Sequence, residues 1–475
     1  VGIFFRLLRW GLGLIVLAVL AAGLWLYLRP PALIQVGTAY AAKIVCSNVY
    51  IAERDPQNVL ALDVQAPGHP LLKYVRVEVD EEGGTVEASL MGLFARSVAV
   101  HRSGLGCVSL PGGDLGQIAD IAATGGQAVT DEALWPKGNL AEFSQFAEID
   151  AILDAPDMTG TGMRAVVVVH DGRIVGERYG DAFTAVTPLL GWSMSKTVNA
   201  AIIGTLVKEG RLSLEQTGLL AQWQDDRRGE IALSDLMAMS SGLAFNENYG
   251  GVSDVTRMLY LEPDMAGFAA GKPLSGAIGE TFSYSSGTSV VLSRIWQDAA
   301  GGGQMGLEWA RKALFDPIGM SSAVLEADAA GTFAGSSYLY ANARDWARFG
   351  LLLLQRGAWE GRSILPAGFV YWMVSPASAS TAPWGEPEYG QGQVWLHGPT
   401  AGSRPGADPD AGFDLPDDAF WLLGHDGQSM VVIPSRDLVV LRMGLTPSKL
   451  GYKPQPMVEA LVGLVDAGVL DAPQD

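Results

Sequence analysis

An α+β fold is predicted for the larger part of this 475-residue chain: an antiparallel sheet flanked by helices, plus a mainly helical insertion. Two observations carry that expectation. β-rich runs stand at both ends of this part, at 165–170 and 173–179 and again at 419–423, 430–433 and 438–443. Between them, apolar residues recur mostly at helical spacing. Strands drawn from both ends into one sheet, with helices between, give this layered arrangement.

The elements follow in order. Arg6 and Arg9 precede an uncharged run from Trp10 to Leu28, closed by Arg29-Pro30-Pro31. As a helix the run is roughly 28 Å long, the thickness of a bilayer's hydrocarbon core. Trp10, Trp25 and Tyr27 lie near its ends, where interface anchors belong. A cleaved signal peptide competes, with small residues at 18–22, but the apolar run continues past them to Leu28. Residues 1–30 are therefore expected to form a transmembrane signal-anchor, crossing the cytoplasmic (inner) membrane once. Arg6 and Arg9 face the cytoplasm, and the remainder lies on the periplasmic, extracytoplasmic side. The lipid bilayer is thus one expected partner.

In that setting Cys46 and Cys107, the only two cysteines, are expected to form a disulfide rather than remain separate thiols. Closing a loop of that length is worth about 4 kcal/mol in the chain-entropy model. Residues 31–125 read as a small accessory α+β region. Runs 73–78 and 85–89 alternate around Asp80-Glu81-Glu82-Gly83-Gly84 as a hairpin, and 94–101 gives a further strand. Punctuation by Gly, Pro and Thr marks 122–138 as a linker or surface loop.

The third segment, 126–475, starts its pattern with a helix at 143–153. The pair Asp171-Gly172 between two β-rich runs is a hairpin turn. Helices are expected at 196–209, stopping at Gly210, and at 234–239, 287–300, 308–314 and 343–355. The last three strands are separated by tight turns, and 456–465 makes a closing helix.

Composition narrows the function. A net charge of −19 argues against nucleic acid, which needs a basic surface. The five histidines form no H-x-x-x-H or H-E-x-x-H pattern and the two cysteines are far apart, so no metal and no cofactor is expected.

Three short segments carry chemistry. In Gly191-Trp192-Ser193-Met194-Ser195-Lys196, a lysine follows a serine by one helical turn, which puts both side chains on one face. A serine hydroxyl needs such a base to become a nucleophile, and a lysine buried from water loses proton affinity and can serve. Alone, S-x-x-K occurs by chance on the order of once or twice in a chain this long. The following helix start offers backbone N–H groups, so the N–H of Ser193 is one expected oxyanion donor. In Ser283-Tyr284-Ser285-Ser286, the Tyr284 hydroxyl is placed to enter a cleft. A nearby lysine ammonium is expected to lower its pKa and make it a proton shuttle. In Gly424-His425-Asp426-Gly427-Gln428, Gly427 permits close backbone approach and the N–H of Gln428 is the second oxyanion donor.

Together and in this order, these segments resemble the penicillin-recognising, β-lactamase-related serine hydrolases, whose motifs are S-x-x-K, Tyr-x-Asn or Ser-x-Asn, and a K-T-G-type triad. The matching stretches are Ser193-Met194-Ser195-Lys196, Tyr284-Ser285-Ser286 and His425-Asp426-Gly427, supported by 231–243 and 314–320. The resemblance covers roughly residues 145–470. It implies a β-lactamase/transpeptidase-like fold with an all-helical lobe and the site between lobe and sheet. It also implies that Ser193, Lys196 and Tyr284 are catalytic, with Ser286, His425 and Gly427 lining the substrate. Ser286 stands where the family has Asn, and His425 where it has Lys. Tyr284 and the Gly-His-Asp-Gly-Gln stretch are most similar to the class C-like branch that holds the 6-aminohexanoate-dimer hydrolases. Loss of that Asn and of that Lys, which binds a substrate carboxylate, weakens β-lactam recognition. The expected substrate is a small ester, amide or short peptide-like molecule. A β-lactamase or DD-peptidase is the alternative enzyme, and an inactive membrane-tethered binding protein the alternative of another kind.

Overall fold

The computed structural model describes residues 2–127, 132–141 and 146–470. The chain divides into two compact units. The first holds residues up to 101, 107–118 and, from far along the sequence, 248–263; the second holds the rest, including 102–106.

In the first unit α1 (Gly2–Leu28) has no buried residue, and an 18-residue stretch of it reaches a mean hydropathy of 2.3. It is long and apolar enough to cross a membrane by length and composition. Prolines 30 and 31 cannot continue it, and α2 (Ala32–Tyr50) starts directly after them. This second helix has no sequence signature because it is buried nearly all round, Thr38, Lys43, Ser47 and Asn48 included. Its polar groups are bonded internally: Lys43 Nζ donates to Ser47 Oγ at 2.9 Å, and the Thr38 and Ser97 hydroxyls meet at 3.0 Å. Beside it lies an antiparallel sheet in simple order, β1 (Val75–Asp80), β2 (Thr85–Leu90), β3 (Phe94–Arg102) and β4 (Gly106–Pro111). A disulfide between Cys46 and Cys107 fastens α2 to β4. The inserted segment contributes a helix, Asp254–Leu261, started by a Ser253–Thr256 capping box. It packs along α2, with the Tyr40 and Tyr260 rings edge-to-face at 5.5 Å.

The second unit is built on a five-stranded antiparallel sheet. After α3 (Ala147–Leu153) come β5 (Met163–His170) and β6 (Arg173–Tyr179). Asp171 and Gly172 both take positive φ, 49° and 69°, as a two-residue hairpin turn requires. The expected start of α3 at 143–145 and residues 128–131 of the expected linker lie outside the described residues. Next are α4 (Ser195–Lys208), α5 (Ser286–Ala299) and α6 (Ala343–Leu354), then β7 (Phe420–Gly424), β8 (Gln428–Ile433), β9 (Leu438–Gly444) and α7 (Gln455–Asp466). The sheet order is β7-β8-β9-β5-β6, so the start and end of the unit share one sheet. α6 covers one face. On the other face, Ile149 of α3 and Leu461 of α7 bury Val166, Val168, Val431 and Val440. Burial on both faces explains why β5 reads as an unbroken valine run instead of an alternation.

The helical part centres on α4 against α5. A buried Asn199 ties them: its Nδ2 donates to Ser289 O, and its Oδ1 accepts from Ser293 Oγ and Trp296 Nε1 at 3.1 and 2.7 Å. The helix expected at 308–314 starts earlier, as Gly303–Ala310, and continues as wider turns over Arg311–Phe315.

Candidate active site

Ser193 sits on a tight turn, Trp192–Met194, that runs into α4. Trp192 just before it has φ 48°, a left-handed conformation that costs a bulky residue about 1–3 kcal/mol. The surroundings hold it there. Its buried ring meets the rings of Tyr338 and His425 at 6.1 and 5.7 Å. Gly191 must lack a side chain, since a Cβ there would stand 2.2 Å from the Trp346 ring. The turn thus leaves Ser193 partly exposed while Lys196, one turn on, is buried.

All three donor directions of Lys196 are used. Nζ lies 3.0 Å from Ser193 Oγ, 3.1 Å from Ser286 Oγ and 3.0 Å from the carbonyl oxygen of Ser336. Burial pulls the Lys196 pKa down to about 8, partly offset by the negative charge of Glu247. The ammonium also rests on the face of the Tyr284 ring, 4.8 Å from its centre.

The Tyr284 hydroxyl is hydrogen-bonded with the Ser193 side chain. Its pKa is raised, against the expected fall. Burial is the largest cause and outweighs the Ser193 bond, while the charge of Glu247 pushes the same way. Tyr284 packs edge-on to Tyr389 at 6.0 Å and against Trp395 at 5.2 Å. Tyr284 is consequently a phenol that holds its proton.

Ser285 caps α5 by accepting from Thr288 N, which places Ser286 in the first turn. Here the structure adds a residue that sequence reasoning missed. Glu247 accepts from Ser286 Oγ at 2.5 Å through Oε1 and from Ser286 N at 2.8 Å through Oε2. It lies in irregular chain after the 231–243 segment, with no periodicity or motif to single it out. The carbonyl of Ser336 and the Tyr389–Trp395 wall were equally unmarked.

The 424–428 turn packs against the Trp192–Met194 turn. Asp426 and Gly427 take φ 58° and 82°, and Arg442 Nη1 donates to the Gly427 carbonyl at 2.9 Å. A Cβ on Gly427 would stand 3.1 Å from both Arg442 and the Thr446 carbonyl, so the position needs glycine twice over. The His425 side chain is about half exposed, its Nε2 3.5 Å from Asp426 Oδ1. Gln428 is buried, and its amide ties the turn to β9, with Oε1 accepting from Gly444 N and Nε2 donating to the Gly444 and His425 carbonyls. The structure therefore gathers Ser193, Lys196, Tyr284 and Ser286 directly and sets the His425–Gln428 turn beside them.

The Beta-lactamase family model matches residues 152–447. No curated protein matches the chain. Among solved structures the chain is similar to a "Putative 6-aminohexanoate-dimer hydrolase from Bacillus anthracis", with TM-score 0.54 and 22% identity over 76% of this chain and 90% of that one. It is also similar to a penicillin-binding protein homologue from Caulobacter crescentus, with TM-score 0.52 and 16% identity over 68% and 97%. At these identities the likeness is one of fold, and it agrees with the β-lactamase/transpeptidase-like architecture expected from the motifs.

Proposed function

The chain belongs to the beta-lactamase family of serine hydrolases, and on that premise we propose that it cleaves an ester or amide through an acyl-enzyme on Ser193. The observation that carries the reading is Lys196: buried, with a pKa near 8, and 3.0 Å from Ser193 Oγ. Neutral Lys196 takes the Ser193 proton as the hydroxyl attacks the carbonyl. The N–H groups of Ser193 and Gln428 hold the oxyanion, each worth about 3–4 kcal/mol at a preorganised site. Tyr284, which keeps its proton, donates to the leaving oxygen or nitrogen and recovers a proton as water enters for deacylation. Ser286 holds Lys196, while His425 and Gly427 border the substrate. His425 stands in place of the lysine of the third motif, which favours an acyl group without a carboxylate. A panel of nitrophenyl esters, short amides and a chromogenic cephalosporin tests this. Ester or amide turnover should exceed cephalosporin turnover, and the reverse order overturns the reading.

We further propose that α1 anchors the enzyme in the cytoplasmic membrane with the catalytic unit on the periplasmic side. Its length, its unburied apolar surface and the cationic Arg6 and Arg9 before the run support this. The protein should stay in the membrane pellet through alkaline carbonate extraction, and removal of residues 2–28 should release it. Extraction of the full chain by carbonate contradicts the anchor.

A further inference from the structure

We propose that Glu247 is a positioning residue that aims the lone pair of Lys196 at Ser193 by fixing the hydroxyl of Ser286. The inference rests on the serine-hydrolase reading above and adds to it the group that orients the base.

The direction of each proton follows from the bonding. Glu247 holds both polar groups of Ser286, with Oε2 on the backbone N–H and Oε1 on the hydroxyl. A serine hydroxyl has a single proton. Once that proton points to Glu247, Ser286 Oγ meets Lys196 only as an acceptor, at 3.1 Å. The Ser336 carbonyl, 3.0 Å from Nζ, can only accept as well. A neutral lysine carries two N–H bonds, and these two acceptors take both. Its lone pair is left facing the third neighbour, Ser193 Oγ at 3.0 Å. Without Glu247, the Ser286 hydroxyl can turn and donate to the neutral lysine, occupying the lone pair needed by Ser193. Glu247 itself is steadied by the first turn of α5, where a carboxylate is favoured by the unpaired N–H groups and the helix dipole.

The same carboxylate acts on Lys196 through space. Among the described residues, Glu247 is the charged side chain that acts on Lys196, and the Tyr284 ring lies against its ammonium. Glu247 favours the ammonium and so opposes the effect of burial. Removing its charge lets the lysine lose its proton at lower pH. A packing role alone makes no such demand.

The test is the pH dependence of Ser193 labelling by a fluorophosphonate in the full chain, compared among wild type, Glu247→Gln, Ser286→Ala and the double variant. Wild-type labelling should rise with pH, with its inflection near 8, and level off above it. Glu247→Gln should label about 10²-fold more slowly on the plateau, the scale expected when a catalytic group is misaligned. Its inflection should move to lower pH. In the Ser286→Ala background the rate penalty of Glu247→Gln should vanish, because the orientation acts through that hydroxyl. Labelled wild type with the inflection unmoved in Glu247→Gln, or with the full penalty persisting beside Ser286→Ala, overturns the assignment alone. Failure of wild-type protein to label removes the serine-hydrolase reading, and this assignment falls with it. Glu247→Asp, which keeps the charge on a shorter arm, should keep the wild-type inflection. A downward shift there also counts against the proposal.

Discussion

Ser193→Ala is expected to lower kcat by on the order of 10⁴ to 10⁶, the loss typical when the nucleophile of a covalent hydrolase is removed. That corresponds to roughly 5–8 kcal/mol of transition-state stabilisation. The change deletes one oxygen of a partly exposed side chain, so its effect on folding should be small. Lys196 keeps its bonds to Ser286 and Ser336, and the turn stays anchored by Trp192 and Gly191. Residual turnover is expected from the oxyanion donors and from binding alone. Steady-state kinetics on the best ester of the panel, with circular dichroism to verify folding, make the comparison. Turnover within tenfold of wild type would remove Ser193 from the mechanism.

Lys196→Met should cost about 10² to 10⁴ in kcat/KM, the usual contribution of a general base, and should erase the pH dependence that the base creates. The sign follows from the lowered pKa. Below about 8 most of the lysine is protonated, so the active fraction grows about tenfold per pH unit and saturates above that value. Methionine has a similar length but leaves the Ser336 carbonyl without its lysine donor, a cost of about 1–3 kcal/mol in stability. Fluorophosphonate inactivation from pH 6 to 10 separates the two effects. Instability alone lowers amplitude at every pH, whereas loss of the base flattens the slope. A slope that survives in Lys196→Met assigns the titration to another group.

The parts of this molecule visible in its sequence are those where one residue type answers one local demand. The turn at Asp171-Gly172 needs positive φ twice, and the β5 valines need burial on both faces. Ser193, Lys196 and Tyr284, the proposed nucleophile, base and acid, stand out because few other side chains can do that chemistry, and because their spacings repeat a family pattern. The proton affinity of Tyr284 was not visible. It depends on Tyr389 and Trp395, more than 100 residues further along the chain, which remove water from its ring. Glu247 was invisible for a related reason. Its partner is the start of a helix 39 residues away, and no local pattern marks a carboxylate that will cap another element. α2 escaped notice because a helix buried on nearly every side has no polar stripe to give it a period.

The two units also trade chain at a telling place. Glu247 is the last residue of the second unit before the backbone leaves for the first, and Asn248–Pro263 returns only at Asp264. Within the first unit, that excursion is held by the Asp254–Leu261 helix lying on α2, which Cys46 fastens to Cys107. No single cut therefore separates a minimal hydrolase from its companion. A version trimmed to residues 119–475 keeps Ser193, Lys196 and Tyr284, yet it leaves the 248–263 segment, which starts one peptide bond from Glu247, without the surface its helix packs on. The module that evolution can shuffle, or a protein engineer can borrow, is the pair of units together, with the cystine as part of what it must carry.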